Sequence, residues 1–335
     1  MKHAPSVLIV RLGALGDVVH AMPVVAALAE AWPDVRVGWL VQAAYADLVR
    51  RVRGVDRVHA VRSAFDFRAV RDVRAAGYDI CLDLQGLMKS AAYARASGAH
   101  RVIGFSRALA REPMATLAYG ETGGRPDGHV IQKNLSLLTR LGLTPSGAPV
   151  IDLDVPPSDV LSSSRTLLGG ETVPFALLSP GAGWPNKRWP AERFGALADG
   201  LLARHGLRSL VLWGPEEASL AAAVVRASAT GAAVMAPQSG ILDILALARA
   251  ADVVVAGDTG PLHLGAAVGA RLVGLYGPTP PERNGPWATD DRCVSRHADC
   301  RCVFKRACTA DVWCLGQVSV DDVAAAVAAR LPDSW

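Results

Sequence analysis

The stretch Val7-Leu8-Ile9-Val10-Arg11-Leu12-Gly13-Ala14-Leu15-Gly16-Asp17-Val18-Val19 reads as a buried strand, a glycine-containing turn and the opening of a helix. The run Val7 to Val10 is wholly apolar, too short for a core helix, and rich in β-branched side chains that favour extended backbone. Gly13 and Gly16 permit a tight turn and let a ligand approach the main chain. The helix start leaves N–H groups free to face an anion. A helical pattern then continues from Asp17 to Glu30.

The same unit recurs outward from this stretch. Val35–Val41, Ile80–Leu84 and Arg101–Ile103 read as further strands, and Phe67–Ala76 as a helix. Short apolar strands alternating with Ala-rich helices predict a parallel sheet covered by helices on both faces. A Pro/Gly/Ser-rich passage, Thr144 to Pro149 followed by Pro156-Pro157, interrupts the pattern and reads as a linker. The alternation then restarts with Phe175–Leu178, Ala191–His205, Ser209–Trp213, Glu216–Ser228, Val253–Ala256, His263–Val268 and Leu272–Tyr276. The expectation is two α/β domains, residues 1–155 and 156–335, each a doubly wound sheet. Ligands of such sheets bind beyond the carboxyl ends of the strands, so a cleft between the domains is the expected site.

Composition narrows the class. With 51% apolar and 20% charged residues the 335-residue chain is globular, and no run approaches a spanning helix. Arg11 interrupts the N-terminal apolar run and no cleavage site follows, so a cytoplasmic location is expected. The net charge of +4 sits mainly in residues 1–155, which hold 19 Lys and Arg against 14 Asp and Glu. That half is the expected face for an acidic partner or membrane headgroups. The basic residues are scattered and not interleaved with aromatics, which argues against nucleic acid. Cys81 reads as a core residue. Cys293, Cys300, Cys302, Cys308 and Cys314 crowd the C-terminal region with a spacing unlike paired C-x2-C zinc sites. Reduced thiols, disulfides and a metal held by Cys300, Cys302, Cys308 and Cys314 all stay open.

Four turns carry candidate chemistry. The first, ending in Gly16-Asp17, lacks G-x-G-x-x-G and the acidic residue a nicotinamide site needs, which excludes a dehydrogenase reading. Asp17 is either a first-turn acid favoured by the helix dipole or a catalytic carboxylate. The second, Ser179-Pro180-Gly181-Ala182-Gly183-Trp184-Pro185-Asn186-Lys187-Arg188, sets two cations beside a glycine turn and suits a diphosphate without being a P-loop. In the third, Gly257-Asp258-Thr259-Gly260-Pro261-Leu262-His263, Asp258 and Thr259 can cap a helix whose N–H groups face phosphate oxygens. The fourth, Trp213-Gly214-Pro215-Glu216-Glu217, places a carboxylate where it can grip a ribose diol.

Together these motifs resemble the ADP-heptose:lipopolysaccharide heptosyltransferases of glycosyltransferase family 9, over nearly the whole chain. Asp83-Leu84-Gln85-Gly86-Leu87-Met88-Lys89-Ser90 and Arg111-Glu112-Pro113 resemble heptosyltransferase I, while Phe304-Lys305-Arg306 and the tail cysteines resemble heptosyltransferase II. The resemblance implies a GT-B fold, two Rossmann-like doubly wound domains facing a central cleft, with the acceptor on the first and the nucleotide sugar on the second. It implies an inverting transfer of heptose from ADP-heptose to Kdo or the first heptose of an anionic glycolipid, at the inner face of the inner membrane, with no cofactor. By position Asp17 matches the general base and Lys187 the diphosphate-binding cation. Glu217, with Glu216 as the neighbouring alternative, matches the ribose-binding acid. Asp258, Thr259, Gly260 and His263 match the donor loop, and Arg62, Lys89 and Arg111 the acceptor contacts. Gly181-Ala182-Gly183 departs from the Thr-Thr pattern of heptosyltransferase I and implies backbone-led donor contacts from Gly181 and Gly183. Another nucleotide-sugar enzyme of this fold, or a non-catalytic binding protein, are the alternatives.

Overall fold

The computed structural model describes residues 5–125, 128–145, 147 and 150–332, and these divide into two compact units, Met1–Asp154 and Val155–Trp335. Of the linker passage, Ser146, Ala148 and Pro149 lie outside the described residues. Beyond it the chain is still held by the first unit: Leu153 bridges Val52, and Arg51 pairs with Asp154 at 3.0 Å.

The first unit carries strands β1 (Ser6–Val10), β2 (Arg36–Gln42), β3 (Arg57–Val61), β4 (Ile80–Asp83), β5 (Arg101–Phe105) and β6 (Glu121–Gly123). Its helices are α1 (Leu15–Val19), α2 (Pro23–Ala31), α3 (Ala46–Val49), α4 (Phe67–Ala76), α5 (Met88–Ala96) and α6 (Val130–Ser136). All six strands run parallel in the order β3-β2-β1-β4-β5-β6. Every residue of β1 is buried, as a central strand covered on both faces must be.

The second unit repeats the plan with β7 (Phe175–Ser179), β8 (Arg208–Val211), β9 (Ala233–Met235), β10 (Val253–Gly257), β11 (Leu272–Tyr276) and β12 (Arg292–Ser295). Its helices are α7 (Asp159–Leu168), α8 (Ala191–His205), α9 (Ala218–Ala227), α10 (Ile241–Ala250), α11 (Gly260–Ala267), α12 (Pro281–Asn284) and α13 (Val320–Ala328). The order β12-β11-β10-β7-β8-β9 is the first sheet's order read from the other edge. Period-two alternation sorts its core. Val253 and Val255 pack with Phe194, Leu197 and Val323 on one face, while Val254 and Ala256 pack with Leu247 and Leu262 on the other.

Both sheets reverse direction of winding between their first and fourth strands, β1/β4 in the first unit and β7/β10 in the second. Three of the four candidate turns leave β1, β7 and β10 at those switch points, and the fourth leaves the neighbouring β8. The register sets the turns side by side, with Val10 opposite Asp83 and Ala256 opposite Ser179.

Helix limits follow local chemistry. α4 spans the predicted residues because Asp66 accepts from the N–H groups of Arg68 and Ala69, and Gly77 turns left-handed at its end. The predicted helix Asp17–Glu30 is two helices. Pro23 has no N–H and its ring opposes the carbonyl four residues back, so α1 stops at Val19 and Pro23 opens α2. No helix of the described residues is long and apolar enough to cross a membrane.

Candidate functional site

At the first sheet's switch point, Asp17 lies in the opening turn of α1 with its side chain 27% exposed. It is held by Arg11, whose guanidinium, 5% exposed, lies 2.6 Å from the Asp17 carboxylate. Arg11 also donates through Nη1 to the Leu84 carbonyl, and Trp39 Nε1 donates to the Arg11 carbonyl at 3.2 Å. Leu12 N–H donates to Gln85 Oε1 at 2.8 Å. The turn after β1 is therefore tied to the turn after β4. Below it Asp83 is fully buried and accepts from Gln85 N, Gly86 N, Ser90 Oγ and Tyr119 Oη. Burial pushes its carboxyl pKa up despite these donors. Arg111 reaches to 3.8 Å from the Asp17 carboxylate; in the same unit Arg62 stands on the loop after β3 and Lys89 in the first turn of α5.

At the second sheet's switch point the centre is Asp258, whose side chain is 5% exposed. Lys187 Nζ donates to Asp258 Oδ2, and Thr279 Oγ1 donates to the same oxygen at 2.7 Å. Asn284 Nδ2 donates to Oδ1, and His263 Nε2 lies 3.2 Å from it. Burial opposes the charge on Asp258, but His263 and then Lys187 outweigh it and hold the carboxyl well below the usual carboxylate range. Gly257 lets the Lys187 carbonyl come close, since a Cβ there would sit 2.9 Å from that oxygen. Lys187 also lies 4.5 Å from the Trp184 ring centroid.

Glu217 turns back over its own loop. Its carboxylate accepts from Gly214 N at 3.0 Å and lies 3.7 Å from Arg188. It presses on the turn after β7: a Cβ on Gly181 would sit 1.9 Å from Glu217 Oε2. Gly181 thus makes room for Glu217, whereas Gly183 is exposed with open space beside it. Glu216 is fully out on the surface, which leaves Glu217 as the acid facing the turns. Thr259 occupies the position before α11, yet its hydroxyl donates to the Gly257 carbonyl at 3.3 Å rather than capping the helix. The side chain of Asp258 is committed to the Lys187 cluster, so neither residue caps as the sequence led us to expect.

The structure therefore brings Lys187, Asp258 and His263 into one cluster, sets Gly181 against Glu217, and places Arg111 by Asp17. Sequence reasoning passed over Arg11, Thr279 and Asn284. Arg11 was legible as a charge ending an otherwise apolar strand; Thr279 and Asn284 follow β11 in a Pro-rich run that offers no periodic signal. The tail buttresses the Lys187 turn: Asn186 Nδ2 donates to the Lys305 carbonyl at 2.8 Å and Trp313 Nε1 to the Asn186 carbonyl at 3.0 Å. Its cysteines carry free thiols, with Cys302 and Cys308 sulfurs 3.5 Å apart. Among the described residues no group of three or more His, Cys, Asp or Glu side chains is arranged to hold a metal ion.

Two sheets of one topology, with an acid at the first switch point and a lysine–aspartate–histidine cluster at the second, match a known pattern. The sequence pattern of Glycosyltransferase family 9 (heptosyltransferase) covers residues 67–314. The chain belongs to glycosyltransferase family 9. Lipopolysaccharide heptosyltransferase 1 of Pseudomonas aeruginosa is 29% identical over 322 residues, which is 90% of this chain and 87% of that protein. The protein of the same name from Escherichia coli K12 is 28% identical across 82% of this chain and 88% of its own. Among solved structures, E. coli heptosyltransferase WaaC with ADP-2-deoxy-2-fluoro heptose superposes with a TM-score of 0.75 at 25% identity, covering 95% and 97% of the two chains. The E. coli ADP-heptose lps heptosyltransferase II superposes at 0.77 with 19% identity, over 97% and 98%, a likeness of fold. The family 9 chain is a glycosyltransferase with the GT-B fold.

Proposed function

We propose that this glycosyltransferase transfers heptose from ADP-heptose to the inner core of lipopolysaccharide, with inversion, and that Kdo is the acceptor sugar. The observation that carries the reading is that each unit places a charged group at its own switch point, an Arg-held carboxylate in the first and a buried lysine–aspartate–histidine cluster in the second. The relatives named lipopolysaccharide heptosyltransferase 1 support a lipopolysaccharide acceptor.

The roles follow from the chemistry of each group. Asp17 accepts the proton of the acceptor hydroxyl as that oxygen attacks the anomeric carbon opposite the departing diphosphate. Arg11 fixes the carboxylate's direction, and Arg111 beside it holds an anionic acceptor sugar. Negative charge grows on the diphosphate as the glycosidic bond breaks. Lys187 meets it, with N–H groups from the turns at Gly181–Gly183 and Asp258–Gly260. Asp258 and His263 aim the ammonium. Glu217 accepts from the ribose diol. No cofactor enters this scheme; the donor brings its own leaving group. An acceptor of this kind lies in a membrane, and the excess of cations in residues 1–155 suits peripheral attachment to an anionic inner-membrane surface.

The test is ADP release from ADP-heptose with and without a Kdo-lipid A acceptor, for wild type and Asp17→Ala. Acceptor-dependent release that disappears in the variant supports the proposal. Release that the variant retains removes Asp17 from the role of base, and release from UDP- or GDP-sugars alone removes the donor.

A further inference from the structure

The first unit has a feature that sugar transfer by itself does not require. An open groove of about 490 Å³ runs between the loop before α4, the first turns of α5 and the segment ahead of the 3-10 turn Pro113–Ala118. Its walls are Phe65, Leu87, Met88 and Ala92, with Lys89 and Glu112 as its polar lining. Phe65 is 69% exposed and Met88 50%, so two large apolar side chains face water across the same slot. Both side chains line the one groove, so a hydrocarbon seated there would cover them together. The Glu112 carboxylate is engaged in accepting the Met88 N–H at the start of α5.

The groove's position narrows its occupant. Of the three cations matched to the acceptor, Lys89 lines it, while Arg111 stands next to the lining residue Glu112 in the chain and Arg62 lies two residues before Ala64. Arg111 itself lies 3.8 Å from the Asp17 carboxylate. The slot thus carries a cation in its lining, and Arg111, next to Glu112 of that lining in the chain, is the cation that stands by the Asp17 carboxylate. That combination matches a molecule with an anionic, sugar-bearing head and a hydrocarbon tail. A cavity of this size lies in the range of about 300–1,000 Å³ that buries a small organic ligand.

We propose that the groove takes one acyl chain of the lipid acceptor, so that the enzyme recognises its acceptor by hydrocarbon as well as by charge. This rests on the reading of the acceptor given above, and deepens it. Each methylene that enters the slot should tighten binding about fourfold, until the slot is filled and the gain stops.

Two measurements test it, both on the full chain. The first is calorimetric binding of n-alkyl phosphates from butyl to dodecyl, kept below their micelle concentrations. The second is transfer kinetics with the acylated acceptor and with the same acceptor stripped of its acyl chains. The variant is Ala92→Trp, which fills the slot from an exposed helix position and spares the core. Phe65→Ser, on an exposed loop, removes one wall instead. For wild type, affinity should climb with chain length and then level off. In Ala92→Trp the climb should flatten, and kcat/KM for the acylated acceptor should fall at least tenfold while the stripped acceptor stays within twofold. Equal losses with both acceptors, or no loss with either, overturn the proposal. So does a variant that loses binding to phosphatidylglycerol vesicles yet keeps the alkyl phosphate series, because the face is then a bilayer contact. If wild type transfers heptose to neither acceptor, the functional reading fails by itself, and the alkyl phosphate series still decides the groove.

Discussion

Gly181→Ala should act as a remote deletion of Glu217. The glycine occupies the turn after β7, and an added methyl would sit 1.9 Å from Glu217 Oε2, 2.3 Å from its carboxyl carbon and 2.6 Å from Oε1. No real contact is that short, so one group must move. The neighbours are the far end of a side chain that is 22% exposed, so Glu217 can swing toward solvent at little cost to folding. In leaving, it forfeits its place over the turn and its 3.0 Å bond from Gly214 N. If Glu217 grips the donor's ribose, the lost charge-assisted hydrogen bonding costs about 1.5–3 kcal/mol. That corresponds to a rise in donor KM of roughly ten- to a hundredfold. The ribose takes no part in bond breaking, so kcat should change little. The assay is a double-mutant cycle of Gly181→Ala and Glu217→Ala, with KM for ADP-heptose and a urea midpoint for each protein. Both changes remove the same interaction, so the double variant should be no worse than either single one. Additive losses, or a Gly181→Ala enzyme with ordinary KM, would refute the steric argument.

Two further variants probe the buried charges. Lys187→Met should lower kcat by about 10²–10³, the loss typical of one oxyanion-stabilising donor. It should also destabilise the fold by about 3 kcal/mol, the low end for orphaning a buried charge, because Thr279 and Asn284 still donate to Asp258. Since the folded carboxyl of Asp258 is held below its ordinary 3.8, its contribution to stability is complete above that value and fades as pH falls through the folded value. Without Lys187 the folded value rises, so acid unfolding followed by tryptophan fluorescence should begin at a higher pH; an unmoved acid transition would count against the pairing. Tyr119→Phe removes a 2.7 Å donor from buried Asp83 and should cost about 1–3 kcal/mol in urea denaturation. The lost bond favours the ionised carboxyl, so the deficit should be smaller in acid than at neutral pH, and equal deficits at both would show that Asp83 stays protonated throughout.

Much of this protein is written locally. Helices α4 and α8 occupy the residues their patterns predict, since Asp66 starts one, and Gly77 and Gly206 end them in left-handed turns. The central strands were visible as apolar runs because a strand buried on both faces is mostly apolar. The edge strands β3, β6, β9 and β12 were not. β6 and β9 are only three residues long, and polar residues break the run in β3, β6 and β12. The split at Pro23 was legible in principle, since a single residue decides it, but the apolar spacing on either side continues in phase and masks the break.

The sequence by itself determined the alternation of strands and helices, hence the sheet class, and the glycine turns that close the central strands. It did so because helix and strand periods, proline's missing N–H and glycine's open backbone are properties of neighbours in the chain. It also pointed to a family, through motifs near the strand ends, and that family's relatives are 22–29% identical to this chain. What only the tertiary structure decided is who meets whom. Lys187 and Asp258 are 71 residues apart, and Arg11 and Leu84 73 apart; parallel pairing of β7 with β10 and of β1 with β4 joins them. The same packing sets Glu217 where a side chain on Gly181 would stand, and gathers Phe65, Met88 and Glu112 around one groove. Such contacts depend on strand order and register, which are settled by the burial of whole faces rather than by any single stretch of residues.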